Sequence, residues 1–233
     1  MNIAIIGYGK MGKTIEQFAI DRGHKIVYKA TNTWEEGNLS DADVAIEFSI
    51  PSAVINNLKT CFSLQIPVVC GTTGWLEHYE EIAEICKQKE ATLLYASNFS
   101  LGVNIFFHIN KILAENMKKF PEYQARIDEV HHTEKLDAPS GTAITLAEGL
   151  LPLGKKTKWA LDNDTNDSLP IYAYREKDVK GTHTVTYSSE IDTISIKHEA
   201  HSRNGFAIGA VIAAEWLKDK KGVFGMNDVL QLQ

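Results

Sequence analysis

The chain opens on a strand-length apolar run, residues 2–6, that breaks at once into Gly7-Tyr8-Gly9-Lys10-Met11-Gly12. Beyond it Met11, Ile15, Phe18 and Ala19 recur at helical spacing, so the glycines stand between a strand and a helix. No other feature narrows the possible folds as far. In such a turn the first glycine makes the tight bend and the second lets the backbone approach a pyrophosphate. The third lets helix and strand pack closely, and the helix N-terminus turns positive potential toward phosphate. The segment predicts a dinucleotide-binding start, with Gly7, Tyr8, Gly9, Lys10, Met11 and Gly12 as cofactor-binding residues. A merely tight strand-to-helix turn is the plain alternative.

The same rhythm continues to about residue 100. Strands are expected at 24–30, 44–49, 66–70 and 91–96, with helices opened by Pro51 and spanning 76–89. Buried strands alternating with helices indicate a parallel sheet covered on both faces. The pattern then changes: a long helix over 101–119, a strand at 123–129 leading into His131-His132, and a helix opened by Pro139-Ser140-Gly141-Thr142. Residues 152–170 read as a polar surface excursion. Strand-like stretches at 171–174, 183–188 and 193–198 predict an antiparallel or mixed sheet. The apolar segment 206–217 is expected to pack back as a buried helix on the first domain. The fold class that follows is α/β: a Rossmann-like parallel-sheet nucleotide domain (1–102 plus 206–233) carrying an inserted α+β substrate and oligomerisation domain (103–205).

Charge and cysteine content exclude some functions. There are 24 Lys+Arg against 30 Asp+Glu, a net charge of −6. Nucleic acid as the main partner would need a basic footprint, although a local basic cluster can still hold a small anion. Cys61, Cys70 and Cys86 form no Cys-x-x-Cys pair, which favours free thiols in a reducing compartment. The apolar run 206–214 stops at Glu215, far short of the roughly 18 residues that span a bilayer. The N-terminal residues read as the start of a fold and not as a signal peptide. The expectation is a cytoplasmic protein without a membrane partner.

An acid is usual about 20 residues after the glycines, bonding the ribose hydroxyls. Here the second strand ends Lys29-Ala30-Thr31-Asn32, with no carboxylate until Glu35. Its absence removes a repulsion against a 2′-phosphate. Alternation puts Lys29 and Thr31 on one face, so Lys29 is a candidate phosphate contact, though a strand-end lysine is more often simply solvated. Glu35 and Glu36 oppose that phosphate, and the balance predicts use of both NADPH and NADH, NADPH modestly preferred. Gly71-Thr72-Thr73-Gly74 and Ser97-Asn98-Phe99-Ser100 follow successive strands at the edge where open sheets bind ligands. Gly71, Thr72, Thr73, Ser97, Asn98, Phe99 and Ser100 are therefore assigned to the cofactor, the first loop suiting a nicotinamide amide or ribose.

The densest stretch is Glu129 to Thr142. Adjacent histidines on a strand face opposite ways and are poor co-ligands, so no metal is expected. Ser140-Gly141-Thr142 at a helix start offers free amides and hydroxyls to a carboxylate, with Ser140 also able to serve as N-cap. Lys135, between Glu134 and Asp137, is readable as a solvated charge cluster. Arg203 either reaches an anion or braces the domain junction.

Together these segments resemble one family, the 4-hydroxy-tetrahydrodipicolinate (dihydrodipicolinate) reductases of bacterial lysine biosynthesis, along nearly the whole chain. The resemblance rests on residues 7–12, Glu47-Phe48-Ser49, residues 71–74, Asn98-Phe99-Ser100 with Gly102-Val103-Asn104, and Ser202-Arg203 with Phe206-Ala207. Its specific part is Glu129-x-His131-His132-x-x-Lys135-x-Asp137-Ala138-Pro139-Ser140-Gly141-Thr142-Ala143. The chain is short for the family, and 175–183 lacks part of the usual glycine-rich connecting loop. The resemblance implies a cyclic-imine dicarboxylate substrate that loses water and accepts hydride while its ring nitrogen gains electron density, so a proton donor is needed. It implies His131 and Lys135 as catalytic residues, with His132, Ser140, Gly141 and Thr142 holding substrate carboxylate. It also implies closure around the bound pair and a homotetramer. Two rivals differ in their sequence marks. Another Rossmann oxidoreductase would carry Glu-Lys-Pro where this chain has Ser97-Asn98-Phe99, and a nucleotide sensor would need no cluster of His131, Lys135 and Ser140.

Overall fold

The computed structural model describes residues 1–154, 156–202 and 204–232. The chain divides into two compact units, Met1–Leu101 with Asn204–Gln233, and Gly102–Arg203. It begins with β1 (Asn2–Ile6), α1 (Lys10–Asp21), β2 (Lys25–Ala30), β3 (Glu35–Gly37), β4 (Val44–Glu47), α2 (Pro51–Ser63), β5 (Val68–Cys70), α3 (Tyr79–Gln88) and β6 (Thr92–Tyr95). The second unit contains α4 (Leu101–Met117), β7 (Gln124–His131), α5 (Gly141–Leu150), β8 (Lys158–Leu161), β9 (Ser168–Arg175), β10 (Thr182–Ser188) and β11 (Thr193–Glu199). The chain then rejoins the first unit through α6 (Asn204–Leu217), β12 (Gly222–Phe224) and α7 (Met226–Leu230).

The first unit is a doubly wound, Rossmann-like sheet in the order β12-β6-β5-β4-β1-β2-β3. Every pairing is parallel except that of β3 on β2. Side-chain alternation sorts β1 between two cores. Ile3 and Ile5 join α1 and α6 through Ile15, Ala210 and Val211. Ala4 and Ile6 join α2 and α3 through Leu58, Phe62 and Ile82. The α6 helix comes so close that a Cβ on Gly209 would lie 1.8 Å from the Phe99 carbonyl oxygen. The three cysteines are free and buried here, and burial, the largest influence in each case, pushes their thiols up.

The second unit has a mixed sheet, β11-β10-β7-β9-β8. The first three strands pair antiparallel, whereas β7, β9 and β8 pair parallel. One face carries Ile127, Ile171, Val185 and Tyr187 against Phe106 and Met117 of α4 and Leu146 and Leu150 of α5. Buried Asn110 of α4 donates to the Leu146 carbonyl at 3.1 Å and ties the two helices together. The expected excursion at 152–170 is in part strand, since it contains β8 and the first residues of β9. β8 is a four-residue edge strand whose polar flanks hide the alternation, and β9 pairs between it and β7. The three-residue strands β3 and β12 were not expected either. Among the described residues no helix is long and apolar enough to cross a membrane.

Candidate active site

The three glycines of the first turn serve different ends. Gly7 has φ +100°, and a Cβ there would lie 2.1 Å from the Phe48 carbonyl oxygen. A Cβ on Gly12 would lie 2.4 Å from the Gly7 carbonyl oxygen. Packing within the protein therefore demands the first and third glycines. An added Cβ on Gly9 meets nothing within 4 Å, and Gly9 caps α1 with no side-chain hydrogen bond. The middle position is an open approach to uncapped amides at a helix start, which fits a pyrophosphate.

Beside this turn a polar cleft of about 740 Å³ is lined by Gly7, Thr31, Asn32, Trp34, Ser49 and Asn57, among others. Lys29 is not part of that lining. Thr31 lies just past Ala30, the last residue of β2, and its amide donates to the Trp34 carbonyl at 2.8 Å. The Lys29 ammonium instead sits 5.1 Å from the centre of the Tyr8 ring. It pairs there with Glu16 at 3.6 Å and Glu36 at 3.3 Å. The Glu35 carboxylate accepts from the Tyr28 hydroxyl at 2.6 Å.

Two of the residues assigned to the cofactor turn their side chains inward. Thr72 is buried and donates to Glu47 at 2.6 Å, and Phe99 is 1% exposed, packed on Phe48. Only the backbone of these two positions is left for a ligand to meet, while Thr73 and Ser97 are exposed. The Ser100 amide donates to the Asn98 side chain at 2.9 Å, shaping the loop after β6. Glu47 itself, fully buried at the end of β4, received no role from the sequence. Its signal was a lone acid closing an apolar strand.

In the second unit the sheet register assembles a polar cluster. Glu129 and His131 share a face of β7 with Ile127, and the antiparallel ladder sets His183 opposite Glu129. Parallel pairing sets Arg175 opposite His131. Glu129 is fully buried. Its carboxylate oxygens accept the Ser140 amide at 3.0 and 3.1 Å. Around it stand His131 and His183, each at 3.6 Å, and Arg175 at 3.5 Å. The Ser140 hydroxyl meets His183 Nε2 at 3.0 Å and accepts the Ala143 amide at 3.2 Å, so Ser140 is a buried N-cap of α5. Gly141 and Thr142 are left as the first-turn residues that present amides outward.

Arg175 also holds the loop before α5, donating to the carbonyls of Asp137 at 2.7 Å and Lys135 at 3.3 Å. The Lys135 ammonium donates to both Asp137 oxygens at 2.7 and 2.8 Å, which lowers the Asp137 carboxyl. Burial pushes His131 down to about 4, assisted by His183, Lys135 and Arg175 and opposed by Glu129. Burial alone would raise Glu129, but interactions with His183 and Ser140 and the charge of His131 bring it to about 2. At neutral pH the cluster is thus an ionised Glu129 beside a neutral His131. Lys135 is tethered to Asp137 and only partly exposed.

Glu129, His131 and His183 also bring ligand-type atoms within 4.8 Å of one another. The sequence reading missed this grouping because it weighed His131 only against His132. Arg175 beside the same carboxylate, and the Ser140 amide on both its oxygens, suit a hydrogen-bond hub better than a cage for a dication. His132 lies just past β7, half-buried. Arg203 lies outside the described residues.

Comparison with known proteins matches two family models, "Dihydrodipicolinate reductase, N-terminus" over residues 1–99 and "Dihydrodipicolinate reductase, C-terminus" over 102–230. The 4-hydroxy-tetrahydrodipicolinate reductase of Christiangramia forsetii is 55% identical over 233 residues, covering 99% of this chain and 98% of its own. That of Methanosarcina acetivorans is 34% identical, covering 99% and 89%. Among solved structures, the dipicolinate-bound dihydrodipicolinate reductase from Paenisporosarcina sp. TG-14 superposes with a TM-score of 0.80 at 20% identity, covering 97% of each chain. An amine dehydrogenase from Mycobacterium smegmatis gives 0.61 at 9% identity, covering 96% and 94%.

Proposed function

The chain belongs to the dihydrodipicolinate reductase family, and from that premise we propose that it reduces 4-hydroxy-tetrahydrodipicolinate to tetrahydrodipicolinate with NAD(P)H, in the diaminopimelate and lysine pathway. It is a pyridine-nucleotide-dependent oxidoreductase, and the bound nucleotide supplies a hydride. The open turn at Gly9, with its uncapped amides, would hold the pyrophosphate. Gly71 to Thr73 and Ser97 to Ser100 would hold the nicotinamide half. In this reading Gly141 and Thr142 receive one substrate carboxylate at the start of α5, with His132 beside them, and Lys135 delivers the proton that the reduced ring requires. His131, neutral at pH 7 by its low pKa, acts beside it as proton donor or acceptor. A dicarboxylate ligand has a counterpart in the dipicolinate named with the Paenisporosarcina structure.

One observation carries the reading: the buried Glu129 hub fixes the N-terminus of α5 and the Lys135 loop together, through Ser140 and Arg175. Amides for an anion and an ammonium for proton transfer are thereby held by one rigid support. Both nicotinamide nucleotides serve, because Lys29 is already paired and the chain has no carboxylate at Thr31-Asn32. A homotetramer in the cytoplasm completes the proposal. The direct test follows loss of reduced nucleotide when substrate is generated in situ by the preceding synthase. Failure to consume either nucleotide would refute the assignment, and a clean monomer in light scattering would remove the tetramer.

A further inference from the structure

Glu47 is fully buried, and among the described residues it pairs with no cationic side chain. It is ringed instead by neutral groups: the hydroxyl of Ser49, the hydroxyl of Thr72 at 2.6 Å, the amide of Asn57 at 3.1 Å and the thiol of Cys70 at 3.5 Å. Thr72 Oγ1 accepts the Ser49 amide at 2.8 Å, and Ser49 Oγ accepts from Asn57 at 3.2 Å, which leaves each hydroxyl its own hydrogen to donate to Glu47. A ring of donors around two oxygens matches an ionised carboxylate, which only accepts. A buried charge without a counter-ion is costly to keep.

Its position suggests the use. Strands β1 to β3 run one way across the sheet and β4 to β6 the other, so the strand order reverses between β1 and β4, the edge at which such sheets bind dinucleotides. Glu47 closes β4, and its hydroxyl partners Ser49 and Thr72 belong to the loops after β4 and β5, with Asn57 in α2 and Cys70 at the end of β5, on the far side of that reversal from the pyrophosphate turn. We propose that Glu47 is a positioning residue that also supplies a fixed negative charge favouring the oxidised nicotinamide ring over the reduced one. The inference rests on the reading that Gly71 to Thr73 hold the nicotinamide half. When a hydride leaves with its electron pair for the substrate ring carbon, the neutral dihydropyridine becomes a pyridinium cation. The carboxylate neither gains nor loses a proton in that step. It lowers the energy of the charged product and of the transition state leading to it. Buried beneath the loops, it is screened by salt much less than a surface acid would be.

The test compares affinities for NAD⁺ and NADH in the wild type and in Glu47→Gln, by calorimetry without substrate. Glutamine keeps the size and a hydrogen-bonding oxygen but removes the charge. The expected result is a loss of roughly tenfold for NAD⁺ and little change for NADH. An equal loss for both would make Glu47 a loop brace only and overturn the proposal. A folded wild type that binds neither nucleotide would instead remove the cofactor reading beneath it, and the proposal with it. If Glu47→Gln does not fold, the wild type alone decides, using an NAD⁺ isostere whose pyridinium is replaced by a neutral benzamide ring. Weaker binding of the isostere, by about tenfold, supports the proposal, and equal or tighter binding overturns it.

Discussion

Replacing Glu129 by Gln tests the hub directly. The carboxyl sits at about 2 in the folded protein against an ordinary 4.5. A shift of about 2.5 units corresponds to about 3 kcal/mol of stability for the ionised form. An independent route agrees: removing one partner of a buried charged group costs ~3–5 kcal/mol, because Arg175 loses its counter-charge and the Ser140 amide loses half of its acceptor. The folded pKa lies below the unfolded one, so this stabilisation is fully present above pH 4.5 and disappears as pH falls through 2. By pH 3 about 2 kcal/mol of it is gone. His131 opens a second window. Its folded value of about 4 lies below 6.5, so the unfolded chain binds the extra proton and stability falls as pH drops from 6.5 through 4. In Glu129→Gln the charge that supports the protonated His131 is gone, so the comparison of the two proteins is read at pH 7, where His131 is neutral in both. Native-state hydrogen exchange at β7 and β9 amides reads the second unit specifically. The wild type should exceed Glu129→Gln by about 3 kcal/mol at pH 7. A gap under about 1 kcal/mol at pH 7 would refute the hub as drawn.

Steady-state kinetics should separate the roles in the second unit. His131→Ala and Lys135→Ala lower turnover by ~10²–10⁴-fold with nucleotide affinity intact, whereas Thr142→Val chiefly raises KM. Near-normal turnover in Lys135→Ala would return that residue to surface charge. Gly7→Ala should cost more than about 2 kcal/mol in denaturant unfolding, from its positive φ and the Phe48 carbonyl. Gly9→Ala should fold normally yet bind nucleotide poorly, and unchanged nucleotide affinity there would count against the pyrophosphate turn. NADPH should be preferred over NADH by less than about tenfold, since exposed ion pairs are worth ~0–1 kcal/mol, and the preference should fade with salt. A large, salt-resistant preference for either cofactor would contradict that.

The parallel sheet was legible because its strands are short apolar runs bounded by glycine and proline, and because Gly7, Gly9 and Gly12 mark one turn. The buried helix α6 was legible for a similar reason: an all-apolar stretch ending at Glu215 has few other uses. What the sequence hid was pairing across the second sheet. His183 and Arg175 reach Glu129 only through the registers of β10 and β9 on β7, and no local spacing encodes those. Likewise Thr72 read as a ligand contact because it is a hydroxyl in the right loop, whereas its side chain is engaged by Glu47. The cap that Ser140 makes on α5 was legible, but its bond to His183 was not. The pairing of Lys29 with Glu16 and Glu36 was hidden as well, because it depends on how α1 and β3 lie against β2.

The return of α6 to the first unit governs how the protein is made. Ala207, Ala210, Val211 and Leu217 complete the same core as Ile3, Ile5, Val69 and Leu94. On the ribosome that sheet face therefore stays without its cover until nearly the whole chain has emerged. The second unit is contiguous and carries its own core, so it can close first. The usual N-terminal-first order of synthesis is reversed, and force measurements on stalled nascent chains should register the 102–203 unit before the nucleotide unit. A message broken near codon 101 would release an open apolar sheet, prone to stick to its own copies, rather than a usable half of the enzyme.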